Sequence, residues 1–394
     1  MSGHRNRDDA TRPTASMTDR RTVLATLGAG AAALAGCVGR AGEPAATDEA
    51  DATSSPTATP TPTPEPIDIT YRGRFKRVGL QAAVNTAGVK LGTWAEQGLD
   101  VTYATASGSQ AAAKSVASGK DTFGNGGIAA VLQLIEAGAP LVILGQITAP
   151  MGGIVSLAEA GIDEWTDLEG AVVGKFPFGS TGPAAKTAMR KRDVDLSAVT
   201  FRNVQPGSGK KLLLDGTLDA MIKYFPQMQA RLEYAGARPS VLKTADVLDH
   251  LGVTLYARRE TVEGQPDLVD DFVRGWLRAF QVWATEVDRV IELHKPLVVG
   301  GFNEELERKT LGPIYAAQAP AKAIGLEHGK GWTPPDRLGT TIDVFAEAGL
   351  LAGDVDPEEA YTNAFIERNE SLAIETAEAL YSALERYEVG PTYL

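Results

Sequence analysis

Two junctions in this chain bring hydroxyl and amide side chains to places where a strand-like run gives way to a helix-like one. Ser107, Ser109 and Gln110 follow residues 99–104, and Ser180 and Thr181 follow residues 171–174. Hydroxyls at such junctions cap helices, and the free backbone N–H groups of a helix start accept anions or polar ligand atoms. The chemistry on offer is hydrogen bonding to a small molecule. Groups for bond making are scarce. One cysteine, Cys37, excludes an intramolecular disulfide and a Cys-based zinc site. The histidines are His4, His250, His294 and His328, and no two have the spacing of a metal motif. Gly209-Lys210 lacks the hydroxyl residue that completes a phosphate loop. Residues 124–129 spell GxGxxA, but they follow no first strand and have no acid about 20 residues on. They read as a tight loop lining a cleft. No GxSxG elbow occurs. The expectation is no catalytic residue, no metal and no cofactor.

The elements around these junctions alternate. Strand-like runs are expected at 77–81, 99–104, 122–123, 140–144, 171–174, 199–204, 218–222, 240–242 and 253–257. Helix-like runs are expected at 87–97, 110–118, 128–137, 183–192, 210–214 and 227–234. Alternation of this kind implies an α/β fold with parallel strands and right-handed crossovers. Beyond residue 257 the chain becomes mostly helical. Residues 267–290 read as one long helix, with Phe272, Trp276, Phe280 and Trp283 on one face as a core stripe. Two α/β halves and a helical C-terminal part suggest two lobes, 67–153 plus 253–394 and 154–252. A ligand would then lie in the cleft at the carboxyl ends of the strands. The formal net charge of −12 argues against nucleic acid and against binding an anionic membrane through basic patches.

The first 66 residues belong to delivery rather than to the fold. Arg20-Arg21 precedes an apolar run at 23–36, which is shorter than the roughly 20 residues a spanning helix needs. The order of arginine pair, apolar run and Leu34-Ala35-Gly36-Cys37 resembles a twin-arginine export signal (1–36) ending in a lipobox, with Cys37 the lipidated residue. Residues 37–66, rich in Pro and Thr, read as an extended tether. The protein is expected on the outer face of the cytoplasmic membrane, exported, lipid-anchored and monomeric.

Several segments, in order, resemble the SsuA/THI5-like (NMT1-like) substrate-binding proteins over residues 72 to about 370. They are Ser107-Gly108-Ser109, residues 119–124 (GKDTFG), 136–140 (EAGAP), 167–170 (DLEG), 216–220 (GTLDA) and Tyr361-Thr362-Asn363. The resemblance implies a two-lobed type II periplasmic-binding-protein fold with mixed or parallel sheets. It also implies an ABC permease and ATPase as partners. The ligand would be a thiamine pyrimidine precursor, a flavin or a related polar heteroaromatic molecule, or else a sulfonate, taurine or nitrate-type anion. The contacts it points to are Gln81 and Asn85 after the first strand, Ser107, Ser109, Gln110, Asn125, Gln146, Ser180, Thr181, and Tyr224 with Phe225 as an apolar wall. Pyrimidine-precursor binders carry Trp-x-Pro-Asn and a later His; here Asn85 matches, while Ala82 and Gly88 replace the Trp and the His. The pyrimidine-synthesising branch uses a cysteine-rich motif, which one cysteine cannot supply.

Overall fold

The computed structural model describes residues 65–176, 181–205 and 207–387. Ten strands run in chain order: β1 (Ile67–Gly73), β2 (Leu99–Thr105), β3 (Phe123–Gly127), β4 (Leu141–Thr148), β5 (Gly152–Leu157), β6 (Val172–Lys175), β7 (Thr200–Asn203), β8 (Ala220–Tyr224), β9 (Pro239–Lys243) and β10 (Val253–Arg258). They form two mixed five-stranded sheets, β2-β1-β3-β10-β4 and β7-β6-β8-β5-β9. In each sheet one central strand runs against its two neighbours: β10 is antiparallel to β3 and β4, and β5 is antiparallel to β8 and β9. The chain crosses between sheets twice, after Thr148 and again ahead of Val253.

The first strand differs from expectation. Ile67, Ile69 and Tyr71 alternate at period two, and β1 pairs in parallel with β2 from Ile67↔Leu99 onward. Residues 77–81 instead turn into a 3-10 helix, Gly79–Ala82, which feeds α1 (Ala83–Lys90). The helix expected at 87–97 is thus displaced. It ends ahead of Gly92, whose φ of +78° suits a residue without a side chain.

The remaining helices beside the sheets are α2 (Ser109–Ala117), α3 (Ile128–Glu136), α4 (Thr181–Lys191), α5 (Gly209–Leu214), α6 (Phe225–Tyr234), α7 (Arg259–Gly264), α8 (Pro266–Thr285) and α9 (Val287–His294). The single long helix expected at 267–290 is two, broken at Glu286. Its aromatic stripe is core as expected, with Phe272, Trp276, Phe280 and Trp283 at most 1% exposed. Phe272 stacks on Phe123 and Trp94, with ring centroids 3.8 and 5.4 Å apart, and the Trp94 indole N–H donates to the Phe272 carbonyl at 3.0 Å. Aromatic pairs of this kind add about 0.5–1.5 kcal/mol each beyond their burial. They fix α8 against α1 and the first sheet. A second apolar cluster runs beneath both sheets, joined by Leu338, Ile342 and Phe345 of the helix Pro335–Glu347.

Candidate ligand-binding cleft

Strands β1, β3 and β4 of the first sheet end on one edge, and β10 begins there. A pocket of about 550 Å³, counted with its open mouth, lies at this edge. Its enclosed part is small, about 50 Å³. Its polar lining includes Arg74, just past β1, Asn125 in β3, and Gln81 and Asn85 at the start of α1. Its apolar walls are Phe75, Tyr103, Trp276 and Phe280. Two stripe residues that the sequence assigned to core therefore also face the pocket.

Arg74 is the charged centre. Its backbone N–H and its Nη1 both donate to Asn125 Oδ1, each at 3.3 Å. Asn125 Nδ2 in turn donates to the Tyr71 hydroxyl at 2.8 Å, so the amide is held at both ends. Among the described residues no carboxylate pairs with Arg74, and burial pushes its pKa below the usual arginine range. Tyr103, Tyr224, Tyr71 and Tyr256 stand near enough to act on its charge. Burial pushes the Tyr71, Tyr224 and Tyr256 hydroxyls well up, so they stay neutral.

Next to this centre are buried polar atoms without partners. They are both amide atoms of Gln146 and the hydroxyls of Thr148, Thr254 and Tyr256. Gln146 stands opposite Thr254 in the β4–β10 ladder. Buried polar groups in folded proteins are nearly all satisfied, so a cluster of unpaired ones needs a reason. The residues expected to form a tight loop, 124–129, instead give β3 and the start of α3. The glycines there serve close packing: a Cβ on Gly124 would meet the Tyr256 ring at 2.6 Å, and one on Gly126 its hydroxyl at 3.3 Å.

The expected contacts divide by position. Gln81, Asn85 and Asn125 line the pocket, and Gln146 adjoins it on β4. Ser107 is exposed ahead of α2. The Ser109 hydroxyl accepts the Gly127 N–H at 3.0 Å, and Gln110 Nε2 donates to Gln133 Oε1 at 3.1 Å on the surface. None of these three lines the Arg74 pocket. Thr181 opens α4 beside Gly152, which pairs with Tyr224 at the end of β8. Tyr224 of the second sheet is near enough for the Arg74 charge to act on its hydroxyl. Phe225 is 1% exposed in an apolar cluster with Val155, Met221 and Met228. Ser180, Cys37, Arg20 and Arg21 lie outside the described residues. The sequence reading did not single out Arg74, Tyr103, Thr254 or Tyr256. Among the described residues no group of three His, Cys, Asp or Glu could hold a metal, and no helix is long and apolar enough to cross a membrane.

Residues 83–287 match the family model described as NMT1/THI5 like. The chain belongs to the NMT1/THI5-like family. One curated relative, the riboflavin-binding protein RibY of Chloroflexus aurantiacus, is 25% identical over 215 residues, 51% of this chain. The match takes in 57% of that relative, so the chain spans little more than half its length. A solved structure from Bordetella bronchiseptica RB50 superposes with a TM-score of 0.61 at 21% identity, over 77% of this chain and 97% of the other. The alkanesulfonate-binding protein SsuA of Xanthomonas axonopodis pv. citri, bound to MOPS, gives 0.58 at 15% identity, over 76% and 99%. This NMT1/THI5-like chain therefore has the fold of the periplasmic substrate-binding proteins, as its sequence implied.

Proposed function

We propose that the chain is the solute-binding receptor of an ABC importer and captures a small polar heteroaromatic molecule between its two sheets. The observation that carries this reading is the strand-end pocket lined by Arg74, Gln81, Asn85, Asn125 and Thr148, with Gln146, Thr254 and Tyr256 unpaired on the adjoining parts of β4 and β10. The lobes are 67–153 with 253–394, and 154–252, and the two crossings near residues 150 and 250 serve as the hinge. The aromatic side chains Phe75 and Tyr103 in the lining suit an aromatic ring, and the curated relative's name points to riboflavin as the first molecule to test. A sulfonate-type anion is the second reading, favoured by Arg74. An enzymatic role is disfavoured: a chain with one cysteine has no cysteine-rich motif.

Mass spectrometry of ligand released from protein purified without refolding tests the receptor reading. A bound aromatic or sulfonated molecule at one per chain is expected. Absence of any such molecule, with no calorimetric binding of riboflavin or an alkanesulfonate, overturns it. The receptor works as a monomer beside a permease and an ATPase, at the outer face of the cytoplasmic membrane. Lipid on Cys37 anchors it there, the arginine pair Arg20-Arg21 directs its export, and residues 38–66 tether it. Cys37→Ser should release the exported protein into the medium, and equal retention on the membrane rejects the anchor. Replacing Arg20 and Arg21 by Lys should block export, and unchanged export rejects the twin-arginine route.

A further inference from the structure

We infer that Arg74 anchors the ligand by one edge, and that this edge carries two neighbouring acceptor atoms on a flat ring, either a bare ring nitrogen beside a carbonyl or an aromatic oxyanion. The inference rests on the receptor reading above and narrows it to a class of ligand.

The first support is charge. The chain carries a net charge of −12, yet the pocket lining holds Arg74 and Lys76 and no acid. Lys76 is exposed at the mouth, so Arg74 is the cation the pocket encloses. The second support is an internal control two residues away. Arg72 is bidentate to Asp121, with Nε at 2.7 Å and Nη2 at 2.9 Å from its two oxygens. That is how this fold uses an arginine for structure. The Arg74 side chain has the Asn125 carbonyl oxygen as its hydrogen-bond acceptor, at 3.3 Å, beyond the usual 2.7–3.2 Å for such bonds, and lies 5.7 Å from the Phe75 ring centroid. A guanidinium carries five N–H donors in a planar fork, so most of its capacity is left for another partner.

The tyrosines around it do not supply that partner. Tyr71, Tyr224 and Tyr256 are kept neutral by burial and offer no counter-charge. Arg74 is half-buried, so an acceptor that completes its fork offsets the part of its hydration that is lost there. Two acceptors side by side match the fork, which is why guanidinium groups favour bidentate recognition. The ring follows from the mouth, where the exposed Phe75 and the half-buried Tyr103 offer aromatic surface to the same space.

The test compares the wild type with Arg74→Gln and Arg74→Lys. The probes are riboflavin, in which an unprotonated ring nitrogen lies beside a carbonyl, benzenesulfonate, an aromatic oxyanion, and benzyl alcohol, an aromatic ring without paired acceptors. The wild type should bind at least one of the first two by calorimetry and not benzyl alcohol. Arg74→Gln should weaken that binding by roughly tenfold to a hundredfold. Arg74→Lys restores a charge but no fork. It should recover much of the affinity if benzenesulfonate is the ligand bound and little if riboflavin is. The empty Arg74→Gln protein should melt no lower than the wild type, because a counter-charge was never lost. Wild type that binds neither probe overturns this assignment, and overturns the receptor reading as well where mass spectrometry also finds no ligand released from the purified protein. Binding that is unchanged in Arg74→Gln, or wild-type binding of benzyl alcohol as tight as that of the paired-acceptor probes, overturns the assignment alone. So does weakened binding matched by a lowered melting temperature of the empty protein, which would make Arg74 structural.

Discussion

Replacing Lys330 by Met should change how stability depends on pH. Lys330 is 2% exposed and has no acidic partner among the described residues. Its ammonium donates to the carbonyls of Ile147 at 2.5 Å and Gln318 at 2.7 Å, and lies 4.6 Å from the Phe280 ring centroid. The Ile147 carbonyl needs this donor because the β4–β10 register slips between Val253 and Thr254, leaving Ile147 opposite no residue. Burial pushes the Lys330 pKa from 10.5 down to about 7. The folded state therefore holds fewer protons than the unfolded chain between those values. Stability contributed here rises with pH from about 7 to 10.5 and is lost again as pH falls back through 7. At 1.36 kcal/mol per unit the whole shift amounts to about 5 kcal/mol. That is an upper figure, since carbonyl oxygens and ring faces favour the charged form. Lys330→Met removes this titration but strands two carbonyls, at a cost of about 1–3 kcal/mol each at any pH. The two effects nearly cancel at pH 7, and the variant should be clearly weaker at pH 10. Urea unfolding followed by tryptophan fluorescence at pH 7, 8.5 and 10 measures the gap. A gap between wild type and variant that stays constant across this range refutes the reasoning.

Three further outcomes follow from single contacts. Ser109→Ala leaves the Gly127 N–H without its acceptor and should lower stability by about 1–3 kcal/mol in a denaturant melt, with little effect on ligand affinity; an unchanged midpoint would show that this bond is idle. Gly88→Ala gains helix propensity but drives a methyl into the Trp94 ring, so overpacking should cost a net 1–3 kcal/mol or so; a raised melting temperature contradicts this. His294 accepts from Thr86 through Nδ1 at 2.7 Å and donates from Nε2 to the Gly79 carbonyl at 2.9 Å, and burial pushes its pKa down. Its contribution is present above the unfolded pKa of 6.5 and is lost as pH falls through the lower folded value. Thermal melts should drop below pH 6.5 in the wild type and drop less in His294→Asn.

The parts of the fold that were legible in the sequence are those where local pattern and tertiary role agree. The run at 140–144, apolar throughout, is a strand buried on both faces, and the stripe Phe272–Trp276–Phe280–Trp283 packs one face of α8. What escaped was structure that depends on partners. β5 begins with Gly152-Gly153, residues of low strand propensity, and exists because β8 and β9 flank it. β1 was hidden beside a Pro- and Thr-rich segment. The break at Glu286 follows no glycine or proline, so no local breaker marks the end of α8.

The candidate site shows a deeper limit. Residues 72–77 hold Arg72, Arg74, Lys76 and Arg77, a run that reads as a solvated face. The structure gives each a separate task. Arg72 pairs with Asp121, Arg77 donates to the Tyr103 carbonyl at 3.2 Å and lies over its ring, and Lys76 faces water. Period two could have sorted these side chains only while the strand lasted, and β1 stops at Gly73. Thr254 and Tyr256 pose the converse case. Their alternation places them on one face, and both hydroxyls are buried without partners; Gly124 and Gly126 on the neighbouring strand leave room for the Tyr256 ring. A binding residue is marked by what its neighbours fail to offer it. Arg74 stands out only once Asp121 is seen to have gone to Arg72.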